Sequence, residues 1–228
     1  MQVSVPVDRI HLDGDLVLPP GARGLVLFAH GSGSSRHSPR NRFVARALNE
    51  GGLGTLLIDL LTPDEEQIDM LTAELRFDIG LLASRLVWVL EWLYADARAR
   101  LDQRARLKIG LFGSSTGAAA ALVAAAQRPA LVSAVVSRGG RPDLAADALA
   151  LVQAPTLLIV GGADTHVLGL NVSALAELRA DKRISVVPHA THLFEEPGAL
   201  EEVARLAREW FRSSLAAQES WPMRPVDM

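Results

Sequence analysis

The sequence predicts an α/β protein built on a doubly wound, mostly parallel sheet, and three observations carry that prediction. Six short runs, Leu25 to Ala29, Thr55 to Ile58, Ile109 to Phe112, Val132 to Val136, Thr156 to Val160 and Ile184 to Val187, are apolar on both faces and bounded by Gly, Asp or Pro. Such runs suit strands covered on both sides, as in a parallel sheet with helices on each face. The segments between them carry apolar residues at helical spacing, so strand and helix alternate from about residue 25 to 215. Finally, 228 residues with 49% hydrophobic and 21% charged side chains suffice for one large core. One domain over residues 1–216 is expected, followed by a tail, 217–228, that has no periodicity.

Taken in order, Val3, Val5 and Val7 alternate with other residues, and Leu16-Val17-Leu18 follow Asp13-Gly14, which predicts an N-terminal antiparallel hairpin on the sheet edge. Ser38-Pro39 offers an N-cap followed by proline at the first helical position, Phe43, Val44, Ala47 and Leu48 form the stripe, and Gly51 supplies the stop. Leu71, Leu75, Ile79, Leu82, Leu86, Val89 and Leu93 recur at three and four, predicting one long amphipathic helix. The last helix carries Leu200, Val203, Ala207 and Trp210 on one stripe, with Glu201 and Arg205 facing each other at i,i+4.

Composition narrows the function. A formal charge of -3 supplies no basic field for phosphate backbones or anionic lipid, so neither nucleic acid nor membrane is an expected partner. The alanine-rich run from Thr116 to Ala126 is too short to span a bilayer, and no basic n-region precedes an apolar stretch at the N-terminus. A cytoplasmic location is expected. The absence of cysteine removes disulfides, thiolate metal ligands and a catalytic thiol together. A dinucleotide loop starting at Gly31 would need glycine where Arg36 stands, no P-loop lysine follows any glycine-rich turn, and His189 and His192 lack the glutamate of a metalloprotease helix. No metal and no cofactor are expected.

What remains is nucleophilic chemistry. The strand ending at Phe112 runs into Gly113-Ser114-Ser115-Thr116-Gly117 and then into an alanine-rich helix, the G-x-S-x-G pattern at a strand-to-helix turn that exposes its central serine. Ser115 is the candidate nucleophile, and the amide of Thr116, at the helix N-terminus, can face a developing oxyanion. A serine hydroxyl needs a base and the base an orienter, in the chain order Ser, acid, His. Asp164 follows one strand through Gly161-Gly162-Ala163, and His192 lies in the loop after the next; His189 and His166 are competing histidines. The loop His30-Gly31-Ser32-Gly33-Ser34-Ser35 should supply the second oxyanion donor, Ser32 first and Gly33 next. Arg138 ends near the same edge and either reaches the pocket or pairs with Asp143, the latter slightly favoured.

These segments, together with Val136 to Asp143 and His192-Leu193-Phe194-Glu195-Glu196-Pro197-Gly198, resemble the dienelactone hydrolase-like branch of the α/β-hydrolases over nearly the whole chain. The chain is similar to the hydrolase portion that some bacteria fuse to a phosphoribosyltransferase. The resemblance implies an α/β-hydrolase fold with Ser115 as nucleophile, Asp164 as acid and His192 as base. True dienelactone hydrolases use cysteine at the elbow and arginines for the substrate carboxylate, and this chain has serine. The expected function is therefore hydrolysis of small carboxylic esters or lactones through an acyl-enzyme. Thioesters or phosphotriesters, or a noncatalytic scaffold, are the alternatives. The segment from Asp59 to Met70 is short and acidic, so no large lid is expected, and Ser34, His37, Arg138 and Phe194 are the candidate substrate contacts beside Arg36 and Leu193. Short acyl chains should be preferred over long ones and over dienelactone itself. Oligomeric state is left open, with a homodimer among the options.

Overall fold

The computed structural model describes residues 1–95 and 107–215. Eight strands, β1 (Gln2–Val7), β2 (Ile10–Val17), β3 (Gly24–Ala29), β4 (Gly54–Ile58), β5 (Lys108–Ser114), β6 (Val132–Arg138), β7 (Thr156–Gly161) and β8 (Lys182–Val187), form one sheet in the order β1-β2-β4-β3-β5-β6-β7-β8. From β4 to β8 every neighbouring pair is parallel, while β1–β2 and β2–β4 are antiparallel. The chain winds outward from β3 in both directions, so the carboxyl ends of β3, β5, β6, β7 and β8 share one edge.

Side-chain alternation divides the core into two layers. Leu25, Leu27 and Ala29 of β3 and Leu111 of β5 face one layer, and Val26, Phe28 and Phe112 face the other, as the two-residue period of a strand requires. The first is covered by α3 (Ile79–Ala95), α4 (Thr116–Gln127) and α5 (Thr165–Glu177); the second by α1 (Pro39–Glu50) and α6 (Ala199–Leu215). Phe28 and Phe112 meet with ring centroids 4.7 Å apart, and Phe211 packs where a Cβ on Gly110 would lie 2.5 Å from its ring. Among the described residues no helix is long and apolar enough to cross a membrane.

The six predicted strands are present, although β8 lies at the sheet edge and is largely exposed rather than covered on both faces, and Ser38 caps α1 by accepting from the Asn41 amide at 3.3 Å. Three details differ. The hairpin turns at Asp8-Arg9, with Asp8 at φ 51°, because Asp13 and Gly14 lie inside β2, opposite Ser4 and Val3. The single helix expected from Leu71 to Leu93 is broken: α2 (Pro63–Thr72) ends at Ala73 in the left-handed region (φ 57°), a 3₁₀ turn covers Leu75–Phe77, and α3 begins at Ile79. Leu71 is consequently 89% exposed. In α6, Arg205 pairs with Glu202 and Glu209 at 2.7 Å rather than with Glu201. The predicted tail 217–228 lies outside the described residues.

Candidate active site

The elbow is set by steric exclusion. Ser115 adopts φ 51° and ψ −122°, a conformation that costs a non-glycine residue on the order of 1–3 kcal/mol and is held by its surroundings. Its amide donates to the carbonyl of Arg138 at 3.3 Å, and its own carbonyl accepts from the Arg141 amide at 3.1 Å. A Cβ at Gly113 would strike the backbone of Ala118, and one at Gly117 the carbonyls of Ala29 and His30, so both flanking glycines are required by close backbone approach. The neighbouring Ser114 is 2% exposed, its Oγ 3.5 Å from the Ala29 carbonyl and from Asn41. Of the two serines, only Ser115 is turned out of the sheet.

Asp164 and His192 meet above the ends of β7 and β8. Asp164 caps α5, its Oδ1 accepting from the Val167 amide at 3.4 Å, while its Oδ2 lies 2.8 Å from Nδ1 of His192. Gly161 permits this approach: a Cβ there would collide with the Ala190 and Thr191 carbonyls. His192 lines a cavity of about 210 Å³ together with Ser115, and Arg138 and Arg40 close it on other sides. Among the described residues no hydrogen bond joins Ser115 Oγ to the imidazole. His189 is exposed at φ 61°, and neither it nor His166 lines the cavity.

The loop after β3 is anchored from below by His30. Its ring is buried, with Nε2 accepting from the Leu60 amide at 3.0 Å and Nδ1 3.0 Å from the Gly31 carbonyl. Desolvation holds its pKa below the ordinary imidazole value, so the ring is neutral and donates through Nδ1. Gly31 lets this loop pass the elbow, a Cβ there lying 3.0 Å from that of Ser115. As the first residue of α4, Thr116 has an amide without an intrahelical acceptor. The expected second donor is already engaged: the Ser32 amide donates to Thr116 Oγ1 at 3.0 Å, so that hydroxyl must yield before Ser32 can serve a substrate.

The candidate substrate contacts separate. Ser34 and Arg138 line the cavity, as does Leu193. Phe194 does not; it is 1% exposed, in the core beneath Arg138, whose guanidinium carbon stands 5.8 Å from the ring centroid. His37 is also displaced, facing away to Arg42 at 2.7 Å in a separate hollow beside α1. The expected contacts at Phe194 and His37 are therefore not brought to the cavity: one ring is buried in the core and the other, an imidazole, faces a separate hollow. Arg36 is taken by the Asp59 carboxylate, which accepts from both its backbone N–H and its guanidinium. The pairing of Arg138 with Asp143 is overturned, because Arg141 holds that carboxylate in a fork of 2.9 and 2.7 Å. Arg141 correspondingly holds the Asp143 carboxyl below the usual carboxylate range.

A second cavity, of about 240 Å³, lies across the 31–35 loop and reaches Leu61, Met70 and Leu82. Its floor helix, α2, was not foreseen. Thr62 and Glu65 form a reciprocal capping box, at 3.3 and 2.8 Å, and Arg85 of α3 forks onto Glu65. Thr62, Pro63 and Glu65 are a readable helix start in the sequence; the acidic composition obscured it.

A sheet of this topology, with a partly buried serine at the elbow after β5 and an acid–histidine pair after β7 and β8, defines a hydrolase of the α/β-hydrolase fold. The profile of the dienelactone hydrolase family matches residues 84–217, and the chain belongs to that family. It is similar to a dienelactone hydrolase from Anabaena variabilis ATCC 29413, with 60% identity, 94% of this chain and 97% of that one covered, and a TM-score of 0.90. Est1E from Butyrivibrio proteoclasticus shares the fold at 16% identity and a TM-score of 0.76, over 94% and 98% of the chains. A curated Mycobacterium tuberculosis (strain H37Rv) protein bearing the name of a phosphoribosyl transferase is 56% identical over 92% of this chain. The match covers 45% of that relative, so the chain spans less than half its length.

Proposed function

We propose that the protein hydrolyses small carboxylic esters or lactones through an acyl-enzyme formed on Ser115. The single observation that carries this reading is the arrangement of Ser115, strained at φ 51°, in one cavity with a His192 ring whose Nδ1 is 2.8 Å from Asp164. With Nδ1–H given to the carboxylate, Nε2 is left as the base, the tautomer that proton transfer from a serine requires. Ser115 Oγ attacks the ester carbonyl as Nε2 takes its proton; the carbonyl–alkoxide bond breaks and His192 returns that proton to the leaving alcohol. Water, deprotonated by the same nitrogen, then releases the acid and restores Ser115. Thr116 N–H, and Ser32 N–H once its present partner turns away, stabilise the negative oxygen of each intermediate.

The name carried by the Mycobacterium relative belongs to a protein more than twice the matched length, and we assign this chain the hydrolytic portion. The test is kcat/KM across p-nitrophenyl esters of increasing chain length, with Asp164→Asn alongside. Short acyl chains of about two to four carbons should be preferred, since the cavity is small. Asp164→Asn should lower kcat on the order of 10⁴-fold. A steady rise to the longest ester, or an unaffected Asp164→Asn enzyme, contradicts the reading.

A further inference from the structure

Arg138 and Arg40 are charges in the candidate site that the hydrolytic reading leaves unused, and Arg138 is the more deeply buried. Its side chain is 7% exposed, yet it lines the cavity that holds Ser115. Its Nε is buried without a hydrogen-bond partner, and among the described residues no carboxylate pairs with it. Another cation, Arg40, bears on it; burial first and that neighbour second push the guanidinium down to about 10, leaving it charged at neutral pH but poorly solvated. Arg40 repeats the pattern, with a buried Nε that lacks a partner and a 3.4 Å contact from Nη1 to the exposed Glu195. Buried charges are ordinarily paired, and two guanidiniums facing one cavity with a single surface carboxylate between them are short of anion.

The remaining walls add hydroxyl groups that can donate to an anion. Ser32, Ser34 and Ser38 contribute hydroxyls, and Ser38 caps α1, a twelve-residue helix with no acidic residue in its first turn. Ser38 and Arg40, at the start of α1, both line the cavity, so the positive end of that helix lies beside it. A carboxylate would satisfy one guanidinium fork. Two forks, three hydroxyls and a helix N-terminus suit a group with three terminal oxygens and more than one negative charge.

We propose that this cavity recognises a phosphate group carried by the substrate, held between Arg138 and Arg40, so that Ser115 acts on an ester elsewhere in a phosphorylated small molecule. The substrate role rests on the reading of Ser115 as nucleophile; the anion site does not. Arg138 supplies the buried fork and Arg40, hinged at the rim by Glu195, the second.

The experiment is calorimetric titration of inorganic phosphate, with succinate as the comparison anion, into the wild-type chain and into Arg138→Met, Arg138→Lys and Arg40→Met. In parallel, the rate at which a fluorophosphonate labels Ser115 is followed with and without phosphate. Phosphate should bind once per chain and more tightly than succinate, lose about tenfold or more in affinity in Arg138→Met, lose less in Arg138→Lys, and slow the labelling of Ser115. Arg40→Met, at a half-exposed position, should show the same direction and keeps the test alive if Arg138→Met does not fold. Absent phosphate heat, unchanged affinity in both methionine variants, tighter binding of succinate, or labelling that ignores bound phosphate would each overturn the proposal. Labelled Ser115 without phosphate binding leaves the hydrolytic reading standing, and phosphate binding with an unreactive Ser115 removes that reading while the anion site remains.

Discussion

Two regions leave the same edge of the sheet and lead into helices, and they are held by different means. The elbow, residues 113–117, is fixed by exclusion: its glycines touch backbone and its serine is forced into a strained conformation that the ends of β3 and β6 stabilise. Beyond Leu60 and Leu61, which enter the core, the segment from Thr62 to Phe77 is held largely by polar contacts, through Arg85 on Glu65 and Arg76 on Asp69, while Ile68, Met70, Leu71 and Phe77 stay largely in solvent. The difference teaches where geometry is non-negotiable. A site that must aim one hydroxyl is built from close backbone contact, and the wall across the loop from it is hung from ion pairs.

The sharpest way to break this comparison is a methyl at the elbow. Gly117→Ala should cost about 3 kcal/mol or more in denaturant unfolding, since its Cβ meets two carbonyl oxygens of the β3 end rather than a movable side chain. The counterpart in the other region is Arg85→Ala, which removes the guanidinium from Glu65, leaving it only the Thr62 amide, and from the Leu60 carbonyl. About 2 kcal/mol is expected there, because Glu65 is 26% exposed and water recovers part of the loss. Equal losses at the two positions would erase the distinction.

His30 joins the two regions, accepting from Leu60 below the loop that carries Ser32. Its pKa is lowered by burial from the ordinary 6.5, so the unfolded chain binds the proton more readily than the folded one. The stability it contributes is present above 6.5 and is lost as pH falls from there toward the depressed folded value. Unfolding free energies at pH 7 and pH 5 should therefore fall more in wild type than in His30→Asn, and an identical decline would contradict the neutral-clamp role. The smallest effect is expected at Leu71→Ser, on the exposed side of α2: within about 0.5 kcal/mol of wild type.

The elbow was legible because its chemistry is local: strand, two glycines, a serine and a helix follow one another within a few residues, and the turn admits few other residues. Asp164 and His192 were legible because each directly follows a continuous apolar strand, and chain order then selects them. The break at Ala73 was not, since leucines at 71 and 75 keep helical spacing across it and nothing in their types reveals a left-handed alanine. The burial of Phe194 and the partner of Arg138 were not legible for a related reason. Both sit where the chain reverses, Phe194 at φ 56° and Arg138 just before Gly139 at φ 50°, and such turns decide which side chain faces the core. Asp143 is held by Arg141, two residues away, which leaves Arg138 to the cavity.

The central claim, that Ser115 is the nucleophile, is tested most directly by treating the wild-type chain, Ser115→Ala and Ser114→Ala with a fluorophosphonate and mapping the adduct by peptide mass spectrometry. One adduct on Ser115, absent from Ser115→Ala and retained in Ser114→Ala, is the predicted result; no adduct, or one that disappears only in Ser114→Ala, would contradict it.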